Sequence, residues 1–206
     1  MSVVDLHFPV LGTSLASDHG YDLYAALARL VPQLHEEARR IRIGPIRGTY
    51  TGNGLLQIDA RFSRLRVRLA AEDIPLLLQL AGKSLDVAGH RLRLGVPQVR
   101  NLIPAPNLAA GLVTIKGFTE PGPFLDAVRR QLAALAIAGE PGIPQVSQGP
   151  RAGQPRRRIL RVKDKRVVGF PLIVSGLTAD ESARLQESGL GGRGKMGCGF
   201  FGAIRG

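Results

Sequence analysis

The residues best equipped for chemistry lie in three places. Six glycines fall within eleven positions, Gly189, Gly191, Gly192, Gly194, Gly197 and Gly199, with Arg193 and Lys195 among them and Phe200–Phe201 directly after. Glycine permits positive φ and close backbone approach, and exposed peptide N–H groups beside two cations form a cradle for phosphate oxygens. A nucleotide-binding P-loop is excluded, because no Gly-Lys-Ser/Thr leads into a helix, and a dinucleotide fingerprint is excluded because an apolar strand follows. The second place is Arg151–Arg166, where Arg151, Arg156, Arg157, Arg158, Arg161, Lys163, Lys165 and Arg166 face one acid, Asp164. The third is the set of four histidines, His7, His19, His35 and His90. They lack metal-ligand spacing, but a group titrating near neutrality suits general acid–base work.

Composition narrows the partner. The net charge is +12 over 206 residues. A compact chain this basic usually meets a polyanion, most often nucleic acid, and its arginine bias suits forked phosphate contacts. Aromatics make up 5% and there is no Trp, which disfavours extensive base stacking. Cys198 is the single cysteine, so intrachain disulfides and a Cys-rich zinc site are excluded. No apolar run reaches a membrane span, and the N-terminus lacks a signal-peptide pattern. The expected compartment is the cytoplasm, with no membrane partner, metal or cofactor.

Elements that position these groups follow from periodicity. Val3 to Val10 reads as a strand. A helix from Tyr21 carries Leu23, Leu27 and Leu30 on one face, with Asp18 as its N-cap, and ends near Val31–Pro32 or resumes through Leu34–Glu37. Strands follow over 41–48 and 55–70, where Arg64-Leu-Arg-Val-Arg-Leu sets arginines on one face that extends the basic surface. Asp73 to Leu80 is a short helix, and Leu85 to Leu94 is a hairpin around Gly89. Pro104 and Pro106 mark a boundary. Beyond it come a strand over 112–116, a helix from Pro123 to Ala138 with Phe124, Val128, Leu132 and Leu135 in phase, and a mobile Pro/Gly/Gln-rich loop over 139–156. A hairpin over 158–174, a helix from Thr178 with a Thr178/Glu181 capping box, and a last strand over 197–204 complete the chain. The order is βαββαβ, twice.

The run Gly189-Leu-Gly-Gly-Arg-Gly-Lys-Met-Gly-Cys-Gly-Phe-Phe resembles the glycine-rich loop near the C-terminus of the CRISPR-associated RAMP proteins. Among them it is most similar to the Cas-six type of endoribonuclease, which cuts the repeat transcript into guide RNAs. The resemblance implies an α+β fold of two tandem ferredoxin-like (βαββαβ, RRM-like) units, 1–105 and 106–206, the second ending in the glycine-rich loop. It implies metal-independent cleavage by the 2′-hydroxyl, giving a 2′,3′-cyclic phosphate and a 5′-hydroxyl, with the product retained. The family's histidine sits on or just beyond the first helix, where His35, in Leu34-His35-Glu36, and His19 both lie. His35 is favoured, and a His35–His19 pair is the alternative. A tyrosine on the first helix is Tyr24, with Tyr21 near its start. The family's nearby lysine has no counterpart, the nearest cations being Arg39, Arg40 and Arg42. Expected RNA contacts are Arg39, Arg40, the basic cluster, and the loop residues Gly191, Gly192, Arg193, Gly194, Lys195, Gly197 and Gly199. The implied partners are CRISPR repeat RNA, or the guide RNA's 3′ hairpin, and further effector subunits. A non-catalytic RNA-binding RAMP subunit is the competing reading. A basic ribosomal or RNA-chaperone protein is a third.

Overall fold

The computed structural model describes residues 2–204; Met1, and Arg205 and Gly206 at the end of the glycine-rich segment, lie outside the described residues. The chain divides into two compact units after Asn101.

In the first unit, β1 (Val3–Leu11) is followed by β2 (Ser14–Ala16) and α1 (Gly20–Leu30). Next come β3 (Arg42–Ile43), β4 (Thr49–Gly52), β5 (Leu55–Gln57), β6 (Arg64–Ala70) and α2 (Ile74–Leu78). β7 (Ser84–Val87), β8 (His90–Leu94) and β9 (Gln98–Asn101) complete it. The main sheet has the order β3-β6-β1-β8-β7, with β9 also pairing β1. Its neighbours are antiparallel. Period-2 alternation turns Val4, Leu6, Phe8 and Val10 into the core. The apolar stripe of α1, Leu23, Ala26 and Leu27, joins the same core.

The opposite face of this sheet carries a buried charge pair. Asp5 and Arg68 sit directly across from each other on β1 and β6. Arg68 Nε donates to Asp5 Oδ1 at 2.7 Å and Nη2 to Oδ2 at 2.9 Å. Arg68 is 2% exposed and Asp5 7%. Burial alone would raise the Asp5 pKa, but bonds from His7 and Arg68, and the charges of Arg68 and Arg66, hold it below the usual value. The arginine face expected on this strand is therefore partly internal, and Arg68 is no surface cation.

Several expected strands are shorter. The 41–48 run shrinks to β3, and the 55–70 run breaks into β5 and β6 at the turn over 58–63; β4, outside both runs, pairs β5 through a tight hairpin closed by Asn53–Gly54, both at positive φ (49° and 73°). That hairpin joins β2 in a separate three-stranded sheet. Ala88–Gly89, at φ 52° and 86°, turn the β7–β8 hairpin where one is expected. β9 has no counterpart in the sequence reading. Position 19 rather than 18 is the N-cap of α1, and no side chain caps it. His19 instead staples the helix entry. Its Nδ1–H donates to the Ala16 carbonyl at 2.7 Å, and Nε2 accepts the Ile46 N–H at 3.1 Å.

The second unit begins with β10 (Leu108–Val113) and α3 (Pro121–Ala134). β11 (Glu140–Gly142), β12 (Arg158–Val162), β13 (Lys165–Ser175), α4 (Ala179–Ser188) and β14 (Gly202–Ala203) follow. The sheet order is β11-β13-β10-β14, with β12 beside β13 and all neighbours antiparallel. Phe124, Val128 and Leu132 of α3 pack on Phe170, Leu172 and Val174 of β13. The capping box of α4 is present, and Glu181 Oε1 also accepts the Ala138 N–H at 2.6 Å. Backbone bonds from Ala138 and Thr178 keep the Glu181 carboxyl below its ordinary pKa.

Three boundaries move. α3 stops at Ala134, short of Ala138, because Ala136 turns left-handed at φ 53°. The 139–156 loop is ordered rather than mobile: β11 pairs β13, and Val146–Gln154, Gly153–Val146 and Arg156–Pro144 backbone bonds, each 2.9 Å, tie the rest. The last strand shrinks to Gly202–Ala203. β10, for its part, carries a bulge, its register stepping from Ala110↔Leu172 to Val113↔Phe170 with one extra residue.

Two stability predictions follow from these bonds. Asp5→Ala leaves the Arg68 guanidinium buried without its counter-charge, so urea denaturation should show a loss of about 3–5 kcal/mol; a loss under ~1 kcal/mol contradicts the pairing. Burial, against smaller opposing effects of Ala16, Asp18 and Asp22, lowers the His19 pKa from 6.5. The unfolded chain then takes up a proton that the folded chain refuses. Stability is full above pH 6.5 and declines below it until the folded pKa is passed. Melting temperatures across that window should fall less steeply for His19→Gln, from a lower starting value.

Candidate active site and nucleic-acid surface

The sequence Val31-Pro32 forces the chain out of α1, since the residue before proline avoids helical backbone. Val31 adopts φ −131°, and a tight turn over Pro32–His35 follows. Val31 and Leu34 are buried at 0% and 1% and nail that turn to the core. His35 is thereby held out into solvent, back over the helix it has just left. Its Nδ1 lies 2.8 Å from the Tyr24 hydroxyl, and the rings meet edge-on with centroids 5.6 Å apart. Burial and, less, Tyr21 push the Tyr24 phenol up, so it stays protonated at neutral pH. With Nδ1 carrying hydrogen toward the Tyr24 oxygen, Nε2 presents a lone pair; in the other tautomer the phenol donates to Nδ1 and Nε2 presents a proton.

His19 and His35 are not brought together as a pair. His19 is 3% exposed and both its ring nitrogens are occupied inside the fold. Arg40 is exposed. Arg39 is engaged by two carboxylates, Glu36 Oε2 at 2.8 Å and Asp73. The Arg39 contacts tie the segment after His35 to the turn that precedes α2. Sequence reasoning missed both partners: Glu36 stands three residues before Arg39, a spacing that offers the pair, whereas nothing along the chain announces Asp73.

In the second unit the glycine loop and the basic hairpin converge on the bulge of β10. Gly191 N–H donates to Gln131 Oε1 at 2.8 Å, Gly192 N–H to Thr114 O at 2.9 Å and Gly199 N–H to Leu112 O at 2.8 Å. Met196 and Cys198 N–H groups turn back to the Arg193 carbonyl at 2.8 and 3.3 Å. Cys198, Phe200 and Phe201 are buried. These N–H groups of the expected cradle are thus spent inside the fold: on the Gln131 side chain, on the Leu112 and Thr114 carbonyls at the end of β10, and on the loop's own Arg193 carbonyl. Arg193, at φ 61°, stands exposed at the tip, followed by a short turn over Gly194–Met196; Gly197 (φ 85°) and Gly199 (φ 62°) complete the bend.

The hairpin β12–β13 turns at Lys163, φ 53°. Its register sets Arg161 opposite Arg166 and Arg158 opposite Gly169. Arg151, Arg156, Lys163 and Lys165 are exposed. Arg157 bonds Glu120 at 2.5 Å and lies 5.7 Å over the Phe170 ring. Arg158 reaches across Gly111, and burial, with the Arg156 charge, lowers its pKa. Among the described residues, no group of three or more His, Cys, Asp or Glu side chains is arranged to hold a metal.

The loop's glycines divide by environment. A Cβ on Gly191, at φ 68°, runs into the Thr114 carbonyl oxygen, whereas one on Gly192 meets nothing within 4 Å. Gly191→Ala should cost about 1–3 kcal/mol in chemical denaturation, and Gly192→Ala less than ~0.5 kcal/mol. Equal losses at the two positions contradict the packing described.

The family model for the Cas6 CRISPR proteins matches residues 4–206. The CRISPR-associated endonuclease Cas6 of Myxococcus xanthus (strain DK1622) is 39% identical over 201 residues, which cover 98% of this chain and 81% of that protein. Among solved structures, a Cas6-related protein from Pyrococcus furiosus superposes with a TM-score of 0.66 at 10% identity, covering 98% of this chain and 99% of that one. A RAMP protein described as binding different RNA substrates gives 0.65 at 9% identity, with full coverage of both chains. The structural likenesses show a shared mixed α+β fold; with the family match and the Myxococcus relative, they place this chain in the Cas6 family of CRISPR-associated proteins.

Proposed function

We propose that this chain is a metal-independent endoribonuclease that binds CRISPR repeat RNA and cuts the precursor into guide RNAs, keeping hold of the product's 3′ hairpin. The Tyr24–His35 pair carries the reading. His35 Nε2 takes the proton of the 2′-hydroxyl, the 2′-oxygen bonds phosphorus, and the bond to the 5′-oxygen breaks. Tyr24, whose oxygen accepts from His35 Nδ1–H in that tautomer, fixes the ring and steadies the imidazolium that forms. Its own O–H is free to turn toward the phosphate and supply the proton that the departing 5′-oxygen needs. The products are a 2′,3′-cyclic phosphate and a 5′-hydroxyl. His19, buried and doubly bonded, is given a structural role, and Arg39 holds the segment after His35 in place.

Supporting the RNA side are Arg40, Arg151, Arg156, Arg158, Arg161, Lys163 and Lys165 on one surface or another, together with Arg193 and Lys195 of the glycine loop. Arg161 and Arg166 stand opposite each other on the exposed hairpin, and forked guanidinium groups suit phosphate. The Myxococcus relative is an endonuclease by name, and a structural neighbour is described as binding RNA. We also read the two units as tandem ferredoxin-like domains, 1–105 and 106–206, acting in the cytoplasm beside other effector subunits. The core orders β3-β6-β1-β8 and β11-β13-β10-β14 support the fold assignment.

Labelled repeat RNA incubated with the protein in EDTA tests the reading. Cutting should proceed, and stop when the nucleotide upstream of the cut carries 2′-deoxyribose. His35→Ala should lower the single-turnover rate by about 10²–10⁴ with affinity nearly intact. Tyr24→Phe should lower it less and shift the pH profile of the rate. Normal cutting by His35→Ala overturns the assignment. RNA binding without cutting by the unaltered protein makes this a non-catalytic RNA-binding subunit.

A further inference from the structure

One aromatic ring in the first unit is held out of the core by a segment built to hold it there. Phe62 is 75% exposed, in the turn between β5 and β6. That turn is cross-linked throughout. Phe62 and Ser63 N–H groups both donate to the Asp59 carbonyl, at 3.0 and 2.7 Å. The Ser63 hydroxyl, 1% exposed, donates to the Arg47 carbonyl at 2.8 Å and accepts the Asp59 N–H at 3.1 Å. Arg64 gathers the carbonyls of Ala60 and Ser63 at 2.8 Å and of Arg61 at 3.0 Å. Asp59 grips the Arg61 guanidinium at 3.1 and 3.3 Å, and that guanidinium stands 5.5 Å from the Phe62 ring centroid.

An exposed apolar ring on a floppy loop needs no explanation. A ring fixed by this many bonds has already lost the freedom that binding would otherwise remove. The surroundings select the ligand. The Arg61 guanidinium, held in place by Asp59, stands at the ring. A purely apolar protein anchor gains nothing from that cation, whereas a nucleobase has a π-face for the ring and a phosphate for the guanidinium.

We infer that Phe62, with Arg61 at its edge, is a stacking platform for one unpaired base of RNA, an assignment that rests on the RNA-binding reading above and extends it.

The chain contains no Trp, so Phe62→Trp installs a single indole reporter at the platform. The probes are an unstructured oligouridylate and repeat RNA made uncleavable by 2′-deoxyribose at the cut. Indole emission should be quenched over the concentration range in which the RNA binds. Phe62→Ala should melt like the unaltered protein, weaken binding roughly 5- to 150-fold, and cut at an unchanged rate once RNA is saturating. Unquenched emission with bound RNA overturns the platform, and so does unaltered affinity in Phe62→Ala; in both cases the RNA reading survives. If the unaltered protein binds neither probe, the RNA reading itself fails and this inference falls with it.

Discussion

The register of β1 against β6 is the constraint on which the first unit turns, and the Asp5–Arg68 pair is what makes that register unique. Strand pairing has period two, so a slip of one residue throws an entire apolar set to the wrong face. Here such a slip also separates a buried carboxylate from a buried guanidinium. The aligned strands then set both ends of the sheet. At one, Ala70 leads to Asp73, which with Glu36 holds Arg39 and so the segment carrying His35. At the other, Arg64 ends the ladder opposite Pro9 and fixes the turn that carries Phe62.

Charge is used in two ways that a count of +12 does not separate. Some arginines are engaged by the fold itself: Arg68 buried in the sheet, and nearer the surface Arg39 between two carboxylates, Arg157 on Glu120, and Arg64 across backbone carbonyls. Others stand exposed at the β12–β13 hairpin and at the tip of the glycine loop. Arginine suits both tasks because its planar fork stays charged under any condition the protein meets. A count of charge alone does not tell the two groups apart.

Local rules were legible in the sequence wherever the partner is a few residues away. The Thr178–Glu181 box, the Ala88–Gly89 turn and the apolar stripe of α1 depend only on neighbours along the chain. So does the break at Pro32, which places a histidine after the first helix. The contact of that histidine with Tyr24 was not legible. The residues are too far apart for a helical pair, and they meet only because a tight turn folds the chain back. β2 and β9 escaped notice because each is short and takes its stability from a partner strand rather than from its own pattern. The glycine loop misled for a related reason. Its composition reveals a permissive backbone, but not that Gln131, Thr114, Leu112 and Arg193 supply the acceptors for those N–H groups.

The same contacts bear on how the second unit is assembled. β10 is central in its sheet, yet its neighbour β14 lies at the far end of the unit in sequence, with Leu108 meeting Ala203. Until that late segment arrives, β10 has one open edge and the Leu112 carbonyl lacks its donor from Gly199. Closing so long a loop for a two-residue ladder is entropically expensive, and contacts of this span slow folding. The glycine-rich segment is thus the latch of the unit: without its pairing the edge of β10 stands open to another strand.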